Sequence, residues 1–386
     1  MRILMVLTYY QPYKSGLTVY AVRQAQAFAA LGHQVTILTS QYDPSLPSEE
    51  DDGSVRIVRL PVLFRLTKGV IIPKLLFKSW ALMRDSDLVN LHVPQFESGM
   101  ISVMAKLSKK PVVITYHCDL EMPTGWLNKL AGWVTHMMHH LSAGLVDAIV
   151  HNTKDYAEQS KFLNRYLDKL SVIQPPVVNA GFSEEDVDKF KELHKIKPGQ
   201  RIIGMVARLA TEKGVEYLVD AMPRVLDVYP QARVLFVGMY ENVPGEERYQ
   251  QKLMPMIEKL GDHWTFLGVV TEKEKSAFYD ICDVLVLPSI NRTESFGMVQ
   301  VEAMLCGTPV VATDLPGVRQ PITETGMGKI VPPRDASTLA DAIIDGLSSK
   351  RTVNPEVITR LNQYYAPETV AKAYQALYED LLRTHG

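Results

Sequence analysis

The sequence predicts an α/β protein with two doubly wound, parallel-sheet domains. Short β-branched runs alternate with helical stretches along most of the chain, a pattern typical of βαβ units. A length of 386 residues is more than one compact core normally holds. The polar stretch 183–200 ends in Pro198-Gly199 and separates two series of apolar runs, which places the domain junction nearby.

The candidate strands fall on either side of this junction. The first series comprises residues 3–8, 35–39, 55–60, 88–92, 112–116, 148–151 and 170–173. The second series comprises residues 202–207, 233–238, 264–267, 284–288, 310–313 and 328–331.

The same pattern defines the expected domains. We expect Rossmann-like domains over residues 1–178 and 179–365. Apolar residues at helical spacing predict a terminal helix within residues 366–386. Because open α/β sheets bind ligands at the carboxyl ends of their strands, we expect the two domains to face a cleft.

Composition argues against several classes of protein. A net charge of −2 gives no reason to expect nucleic-acid binding. The three widely spaced cysteines are typical of reduced thiols in a cytoplasmic protein. The apolar start of the chain is typical of a buried strand rather than a signal peptide, and no apolar run is long enough to span a membrane.

The segment 288–302 carries the strongest functional signal. A helix is expected from near Gly297 to Gly307, and its first turn would offer an anion site through its amides and dipole. Glu294 precedes this helix, and Glu302 lies inside it among apolar residues, where ribose hydroxyls would suit a carboxylate. A surface position for Glu302 and a plain loop charge for Glu294 fit the spacing equally well.

Other strand ends carry polar residues too. Arg208 and Lys213 flank the loop after strand 202–207, where two cations could clamp a diphosphate; an exposed charged loop is the alternative. Gly16, in the loop after the first strand, would let the backbone approach a phosphate or sugar, unless this is an ordinary turn. His117 and Asp119 follow strand 112–116, where histidine could bind a substrate hydroxyl, relay a proton or be structural.

Three further histidines favour a structural interpretation. His136, His139 and His140 share a stretch with Trp133, Met137 and Leu141, which recur every four residues. This spacing predicts a helix with a polar face rather than a metal site.

In combination these segments closely resemble the retaining family-4 glycosyltransferases of the GT-B fold. Glu294-Ser295-Phe296-Gly297 followed by Glu302 matches the E-x-F-G-x-x-x-x-E pattern of that family. Arg208 with Glu212-Lys213-Gly214 matches its second signature, and residues 115–119 are similar to its histidine-containing acceptor-side motif. The terminal helix resembles the one that crosses back to the N-terminal domain.

The resemblance implies a role for each matching residue. Glu302 would bind the ribose, Glu294 would hold the donor sugar, and Arg208 and Lys213 would neutralise the departing diphosphate. The implied catalytic residues are His117, Arg208, Lys213 and Glu294. The implied donor-binding residues are Gly16, Arg208, Lys213, Gly268, Val269, Glu294, Ser295, Phe296, Gly297, Met298, Val299 and Glu302.

The resemblance implies that domain 1–178 binds the acceptor and domain 179–365 binds the nucleotide sugar. On the acceptor side it implies Tyr13 and Asp119, with His117 touching the sugar near its reacting carbon. The first loop departs from the family pattern, because Ser15-Gly16 stands where many members have two adjacent glycines. Where the pattern is kept, at Gly16, the resemblance implies a position beneath the phosphates.

The implied reaction is metal-independent hexosyl transfer, with retention, from a nucleoside-diphosphate sugar to a hydroxyl acceptor. No cofactor is expected, and the donor base stays open, with uridine favoured over guanosine. A nucleotide-sugar epimerase of the same fold is the alternative. An oxidoreductase would need a G-x-G-x-x-G after the first strand, which is absent.

Residues 63–84 suggest a membrane surface as a partner. Phe64, Phe77 and Trp80 could enter a lipid interface while nearby cations meet anionic headgroups. A core helix with solvated lysines is the alternative, and residues 126–145 are a second candidate. We therefore expect a lipid-linked or cell-envelope acceptor and attachment to the inner face of the plasma membrane. The cations in question are Arg65, Lys68, Lys74 and Lys78.

Overall fold

The computed structural model describes residues 1–66, 69–121, 125–348 and 354–385. The chain divides into two compact units, one formed by residues 1–176 with 364–386 and the other by residues 177–363. Both are α/β units with a parallel sheet, as predicted. The assignment of acceptor binding to the first domain and donor binding to the second stays a prediction.

The strands match the predicted apolar runs, with three short additions. They are β1 (Arg2–Val6), β2 (Gln34–Gln41), β3 (Glu49–Asp51), β4 (Val55–Pro61), β5 (Phe64–Leu66), β6 (Gly69–Ile71), β7 (Leu88–Val93), β8 (Val112–Tyr116), β9 (Ala148–His151), β10 (Leu170–Val172), β11 (Arg201–Val206), β12 (Ala232–Val237), β13 (Trp264–Gly268), β14 (Val284–Leu287), β15 (Val310–Thr313) and β16 (Gly328–Val331). The unpredicted strands β3, β5 and β6 have three residues each. The sequence of β3 is Glu-Glu-Asp, and β5 and β6 form a two-stranded sheet apart from the two main sheets.

The α-helices lie mostly between consecutive strands. They are α1 (Gly16–Ala30), α2 (Leu75–Arg84), α3 (Ser98–Leu107), α4 (Trp126–Leu145), α5 (Lys154–Gln159), α6 (Glu184–Leu193), α7 (Val215–Val228), α8 (Glu247–Glu258), α9 (Glu272–Ile281), α10 (Met298–Leu305), α11 (Gln320–Thr325), α12 (Ala336–Ser348), α13 (Pro355–Tyr365) and α14 (Pro367–His385).

The sheet of the first unit has the strand order β10-β9-β8-β7-β1-β2-β4-β3. All neighbours run parallel except β3, which is antiparallel to β4. Helices α2 to α5 contribute to the core on one face of this sheet, and α1 and α14 contribute to the core on the other. The strand order turns between β1 and β7, so the loops that follow β1, β7 and β8 reach the same edge.

The terminal helix α14 belongs to the first unit, as predicted. Its Tyr374 and Tyr378 are fully buried. The Tyr374 hydroxyl lies 2.8 Å from that of Tyr20 on α1, and Asn90 on β7 donates to the Tyr378 hydroxyl at 2.9 Å. Because buried hydroxyls need partners, these bonds fix the helix against the sheet at defined positions.

The second unit has a parallel sheet of order β13-β12-β11-β14-β15-β16. Its strand order turns between β11 and β14, which pair in parallel. The loops after these two strands therefore emerge side by side, at the point where such sheets bind ligands.

Gly214 lets these two loops pack together. It has a φ of +63°, and a Cβ there would lie 2.2 Å from the carbonyl oxygen of Pro288. Only glycine allows this approach without displacing one loop. The Ile290 amide donates to the Glu212 carbonyl at 3.0 Å, which completes the contact.

Within the described residues, we find no helix both long and apolar enough to cross a bilayer.

Replacing Gly214 by alanine should therefore weaken the second unit. The matched control is Gly261→Ala, since Gly261 has a φ of +50° and no atom within 4 Å of its missing Cβ. The control should lose about 1–2 kcal/mol of unfolding free energy from backbone strain. Gly214→Ala should lose about 1–3 kcal/mol more, because it also overpacks the loop contact. Urea denaturation measures both losses, and equal losses would contradict the packing argument.

Candidate active site

Lys213 and Glu294 meet at the carboxyl edge of the second sheet. The Lys213 ammonium donates to Glu294 Oε2 at 2.6 Å, although 81 residues separate them. Only about a fifth of the Lys213 side chain and less of Glu294 are exposed. Their shielding from water makes this contact stronger than an exposed ion pair. Two residues predicted to share a site are thus in direct contact.

Arg208 lies in the same loop as Lys213 and is held by a different carboxylate, that of Glu212. Its guanidinium donates to Glu212 Oε1 at 3.2 Å. Glu246 accepts hydrogen bonds from the amide and hydroxyl of Thr211, at 3.0 and 2.7 Å, and so fixes the turn between Arg208 and Lys213. The roles of Glu212 and Glu246 could not be predicted from the sequence, because their partners become visible only in the folded loop.

The N-terminus of α10 follows Glu294 by four residues. Gly297 precedes the helix with a φ of +79°, and Gln300 donates to the carbonyls of Phe296 and Val318, both at 2.9 Å. Together with the bond from the Gln300 amide to the Gly297 carbonyl at 2.9 Å, these bonds fix the first turn, which carries the positive end of the helix dipole. The predicted helix is confirmed, and Gly307 follows its end with a φ of +78°. An anion site here stays a prediction.

The other predicted donor residues of this segment surround the turn. Ser295 and Phe296 are buried, and Met298 and Val299 are half-buried in the first turn of α10. Burial of Phe296 anchors the backbone that leads into the helix.

Glu302 is buried inside α10, so the surface alternative is wrong. Tyr279 donates to its Oε2 at 2.8 Å, and the Lys275 ammonium lies 3.1 Å from the same atom. The expectation that a carboxylate here needs partners is confirmed, but these two partners on α9 were not predicted. Burial and the Glu302 carboxylate raise the pKa of Tyr279 well above its usual range. Ribose binding by Glu302 stays a prediction.

The end of β13 carries Gly268 and Val269, which the resemblance implies as donor-binding residues near the base. The Gly238 amide donates to the Gly268 carbonyl at 2.7 Å, which joins the two strand ends. Val269 after β13 and Met239 after β12 are both about half exposed. Exposed apolar side chains at a ligand-binding edge fit a flat heterocycle, although the contact itself stays a prediction.

In the first unit, His117 follows β8 and meets a second histidine. Its Nε2 lies 2.9 Å from Nδ1 of His92, which is fully buried on β7. Burial, together with His92 and His151, lowers the pKa of His117 well below its usual range. His92 was missed because the sequence of β7 does not show which strand lies beside it, or that this strand leads to His117.

Asp119 has a structural setting. Its Oδ1 accepts from the Tyr116 hydroxyl at 2.8 Å and from the Ser160 hydroxyl at 2.5 Å. The Asp119 amide donates to Tyr156 at 2.6 Å. These bonds hold the loop that carries His117, while contact between Asp119 and an acceptor stays a prediction.

The loop after β1 contains Tyr13 and Gly16. Tyr13 is half-buried and stacks on Tyr9, with ring centres 4.6 Å apart. Ser15 caps α1 by accepting from the Thr18 amide. A Cβ on Gly16 would meet nothing within 4 Å, so the fold itself does not require glycine here. A role beneath the phosphates stays a prediction.

The histidines on α4 belong to a helix, as predicted. His139 is buried and accepts from the Gln95 amide at 3.3 Å, and His140 lies 2.8 Å from the Tyr166 hydroxyl. The described residues contain no group of three or more His, Cys, Asp or Glu side chains that could hold a metal ion. The predicted polar face is wrong, because His139 is buried and His136 and His140 are half-buried. The exposed side of the helix is apolar instead, with Trp126, Leu130, Trp133, Met137 and Leu141.

Two family models match the chain. The model described as Glycosyltransferase Family 4 matches residues 14–178, and the model described as Glycosyl transferases group 1 matches residues 186–365. Together they span most of both units.

Curated relatives match over nearly their whole length. A phosphatidyl-myo-inositol mannosyltransferase from Mycobacterium leprae is 28% identical over 348 residues, covering 89% of this chain and 87% of the relative. An alpha-monoglucosyldiacylglycerol synthase from Acholeplasma laidlawii is 26% identical over 414 residues, covering 97% and 95%.

A solved structure shows the same fold. Anabaena HepE in complex with UDP superposes with a TM-score of 0.76 at 20% identity, covering 98% of this chain and 100% of that one. The fold is therefore GT-B, as the sequence predicted. Since the two models match the two halves of the chain in order, the chain belongs to the family-4 glycosyltransferases.

Proposed function

We propose that this glycosyltransferase moves a hexosyl group from a nucleoside-diphosphate sugar to a hydroxyl acceptor with retention of configuration. The observation that carries the proposal is the contact of Lys213 with Glu294, at the edge where α10 begins. In this contact an ammonium, which can bind phosphate, lies beside a carboxylate, which can accept hydrogen bonds from sugar hydroxyls. The epimerase alternative is not favoured, because the matched models and the named relatives are transferases.

The chemical step breaks the bond between the anomeric carbon and the diphosphate oxygen. The acceptor oxygen forms a bond to the same carbon on the same face, and its proton passes to the departing diphosphate. The products are a glycoside and a nucleoside diphosphate. Negative charge grows on the leaving group, so fixed cations near it lower the barrier.

Lys213 and Arg208 supply that positive charge. An ammonium has three donors, and Glu294 takes one of them, which leaves two for phosphate oxygens. The α10 N-terminus adds backbone amides. We propose that these groups stand in for a divalent cation, so that transfer continues in the presence of a chelator.

Glu294 and Glu302 then divide the donor between them. Glu294 is anchored through Oε2 and presents its carboxylate to the hydroxyls of the sugar. Glu302, anchored by Tyr279 and Lys275, takes the ribose hydroxyls. Anchoring a carboxylate before substrate arrives reduces the ordering cost of binding.

We propose a uridine nucleotide as donor. HepE, which shares the fold, binds UDP, and the two named relatives are a mannosyltransferase and a glucosyl-lipid synthase. A thermal-shift screen of UDP-glucose, UDP-N-acetylglucosamine and GDP-mannose identifies the preferred donor, since a ligand bound to the native state raises apparent stability.

Removing either partner of the central pair should abolish most transfer. With the preferred donor, a chelator and vesicles containing phosphatidylinositol or diacylglycerol, Lys213→Ala and Glu294→Ala should each lower kcat by roughly a hundredfold or more. NMR of the product should show the anomeric configuration of the donor.

The matched control is a second ion pair of the same unit. Lys329 and Asp345 lie 2.6 Å apart on the surface, and alanine at either position should leave kcat unchanged. Near-normal turnover in both site variants would contradict the role of the Lys213–Glu294 pair. An inverted product would contradict retention, and complete loss of activity with chelator would contradict metal independence.

We further propose that the acceptor lies at an anionic membrane surface that the first unit contacts through α4. Five large apolar residues on one side of this helix are substantially exposed and form what we call the apolar stripe. Its members are Trp126, Leu130, Trp133, Met137 and Leu141. Both named relatives have lipids in their names, which supports a lipid acceptor.

The remainder of α4 fits the same occupant. The helix contains no acidic residue, and its one charged side chain is the exposed Lys129. Its inner side is fixed to α3, where the Ser102 and Ser142 hydroxyls lie 2.6 Å apart. An apolar outer face without negative charge, on a rigidly packed helix, suits anionic headgroups and the acyl region beneath them.

The predicted stretch 63–84 offers a smaller apolar surface for a membrane than we expected. Phe64 and Phe77 are exposed, but Trp80 is half-buried and Lys78 lies 3.4 Å from Glu49.

The helix α2 within this stretch belongs partly to the core, as the alternative had it. Its core residues are Leu75, Leu82 and Met83. Arg65 and Lys74 are exposed, and Lys68 lies outside the described residues. We propose attachment at the inner face of the plasma membrane, led by the apolar stripe.

Replacing both tryptophans of the apolar stripe by serine should detach the protein from vesicles. Each indole that leaves the lipid interface loses apolar burial, so the partition coefficient of Trp126→Ser/Trp133→Ser should fall at least roughly tenfold. Cosedimentation with anionic vesicles at low salt measures it.

The control removes comparable exposed residues from the second unit, as Leu193→Ser/Val228→Ser. It should bind vesicles like the wild type. A wild-type protein that does not sediment, or two double variants that bind equally, would contradict the membrane assignment.

A further inference from the structure

The candidate site contains a histidine that no motif predicted. His92 lies on β7 and His117 directly after β8, and the two strands pair in parallel with His92 opposite Thr115. The His117 amide continues the ladder by donating to the Val93 carbonyl at 3.0 Å. Sheet geometry thus brings the two rings together, nearly parallel, with centres 5.2 Å apart.

The contact between the rings is a hydrogen bond with one shared proton. Nδ1 of His92 lies 2.9 Å from Nε2 of His117. Burial lowers the pKa of His92 to about 3, and the pKa of His117 is lowered as well, so both rings are neutral near pH 7. A neutral imidazole has one N–H and one lone pair, so one ring donates and the other accepts.

The buried edge of His92 decides between the two arrangements. Its Nε2 is buried and has no hydrogen-bond partner among the described residues. If His117 donated, the proton of His92 would sit on this Nε2 as an orphaned N–H. If His92 donates from Nδ1, only a lone pair is left there. Orphaned buried N–H groups are rarer than under-satisfied acceptors, which favours the second arrangement.

We propose that His92 is a positioning residue that donates from Nδ1 to His117 Nε2 and thereby fixes the single N–H of His117 on Nδ1. His117 then has no free lone pair and acts only as a hydrogen-bond donor. It donates to an oxygen of the transferred sugar and cannot accept the proton of the acceptor. This inference rests on the proposed function and on the contact of His117 with the transferred sugar that the family resemblance implies.

The surroundings hold both rings in this arrangement. Tyr20 packs its ring at 90° against His117, with centres 4.9 Å apart, and also contacts the ring of His92. The Tyr20 hydroxyl is in turn fixed by Tyr374 on α14 at 2.8 Å, and Tyr374 lies 3.1 Å from the Thr115 hydroxyl. His117 is therefore packed between the fully buried ring of His92 and a tyrosine that a buried hydrogen bond holds in place.

The tautomer is measured directly, without substrate. In protein labelled with ¹⁵N-histidine, two-bond ¹H–¹⁵N spectra distinguish Nδ1–H from Nε2–H imidazoles, and His117→Gln identifies the signal of His117. We expect His117 to carry its proton on Nδ1 in the wild type and to lose this preference in His92→Leu. A wild-type His117 protonated on Nε2, or a tautomer that does not change in His92→Leu, would overturn the proposal.

Kinetics provide the second readout. His92→Leu should lower kcat roughly tenfold, the worth of one hydrogen bond in the transition state, with KM for the nucleotide sugar nearly unchanged. His92→Asn keeps a donor close to the position of Nδ1 and should recover most of the rate. If His92→Leu fails to fold, the tautomer of His117 in the wild type and the kcat of His92→Asn still test the proposal.

The control is His33→Ala, because His33 contacts Met1 and Gln375 rather than the histidine pair. It should leave kcat unchanged. A kcat of His92→Leu equal to that of the wild type would overturn the positioning role. Absence of transfer by the wild type with every donor would instead contradict the proposed function, and the tautomer measurement would still stand.

Discussion

The parallel pairing of β11 with β14 is the constraint on which the candidate donor site depends. These strands are neighbours in the second sheet although two other strands, β12 and β13, separate them in the chain. The pairing sends the loops 207–214 and 288–297 out at one edge. Gly214 then allows the two loops to touch, and the Lys213–Glu294 contact joins one loop to the other. Strand order thus determines which two loops meet at the candidate donor site, whichever side chains these loops carry.

The first unit uses the same arrangement for a different purpose. Parallel pairing of β7 with β8 brings His92 beside His117, and the buried hydroxyls of Tyr20 and Tyr374 tie these rings to α1 and α14. The terminal helix therefore supports the histidine as well as covering the sheet. In both units, buried polar contacts between elements distant in sequence fix the groups that we assign to the reaction.

Much of this could be predicted from local sequence. The long strands are continuous apolar runs, and Gly297 and Gly307 bracket α10 as their backbone freedom suggests. The strands β3, β5 and β6 could not be found, because β3 consists of acidic residues and β5 and β6 pair with each other apart from the two main sheets. The partners of Glu302 and His117 were also missed, since they depend on which elements become neighbours. The residues with special chemistry were thus visible, and the groups that hold them were not.

The central claim is that the Lys213–Glu294 pair is a preformed donor site in which the cation serves the diphosphate and the carboxylate serves the sugar. Titration calorimetry of UDP with Glu294→Gln and Lys213→Met tests this division. With the carboxylate neutralised, Lys213 is released to the phosphates, so Glu294→Gln should bind UDP at least as tightly as the wild type. Lys213→Met should bind it at least roughly tenfold more weakly. An equal loss of UDP affinity in both variants would contradict the account.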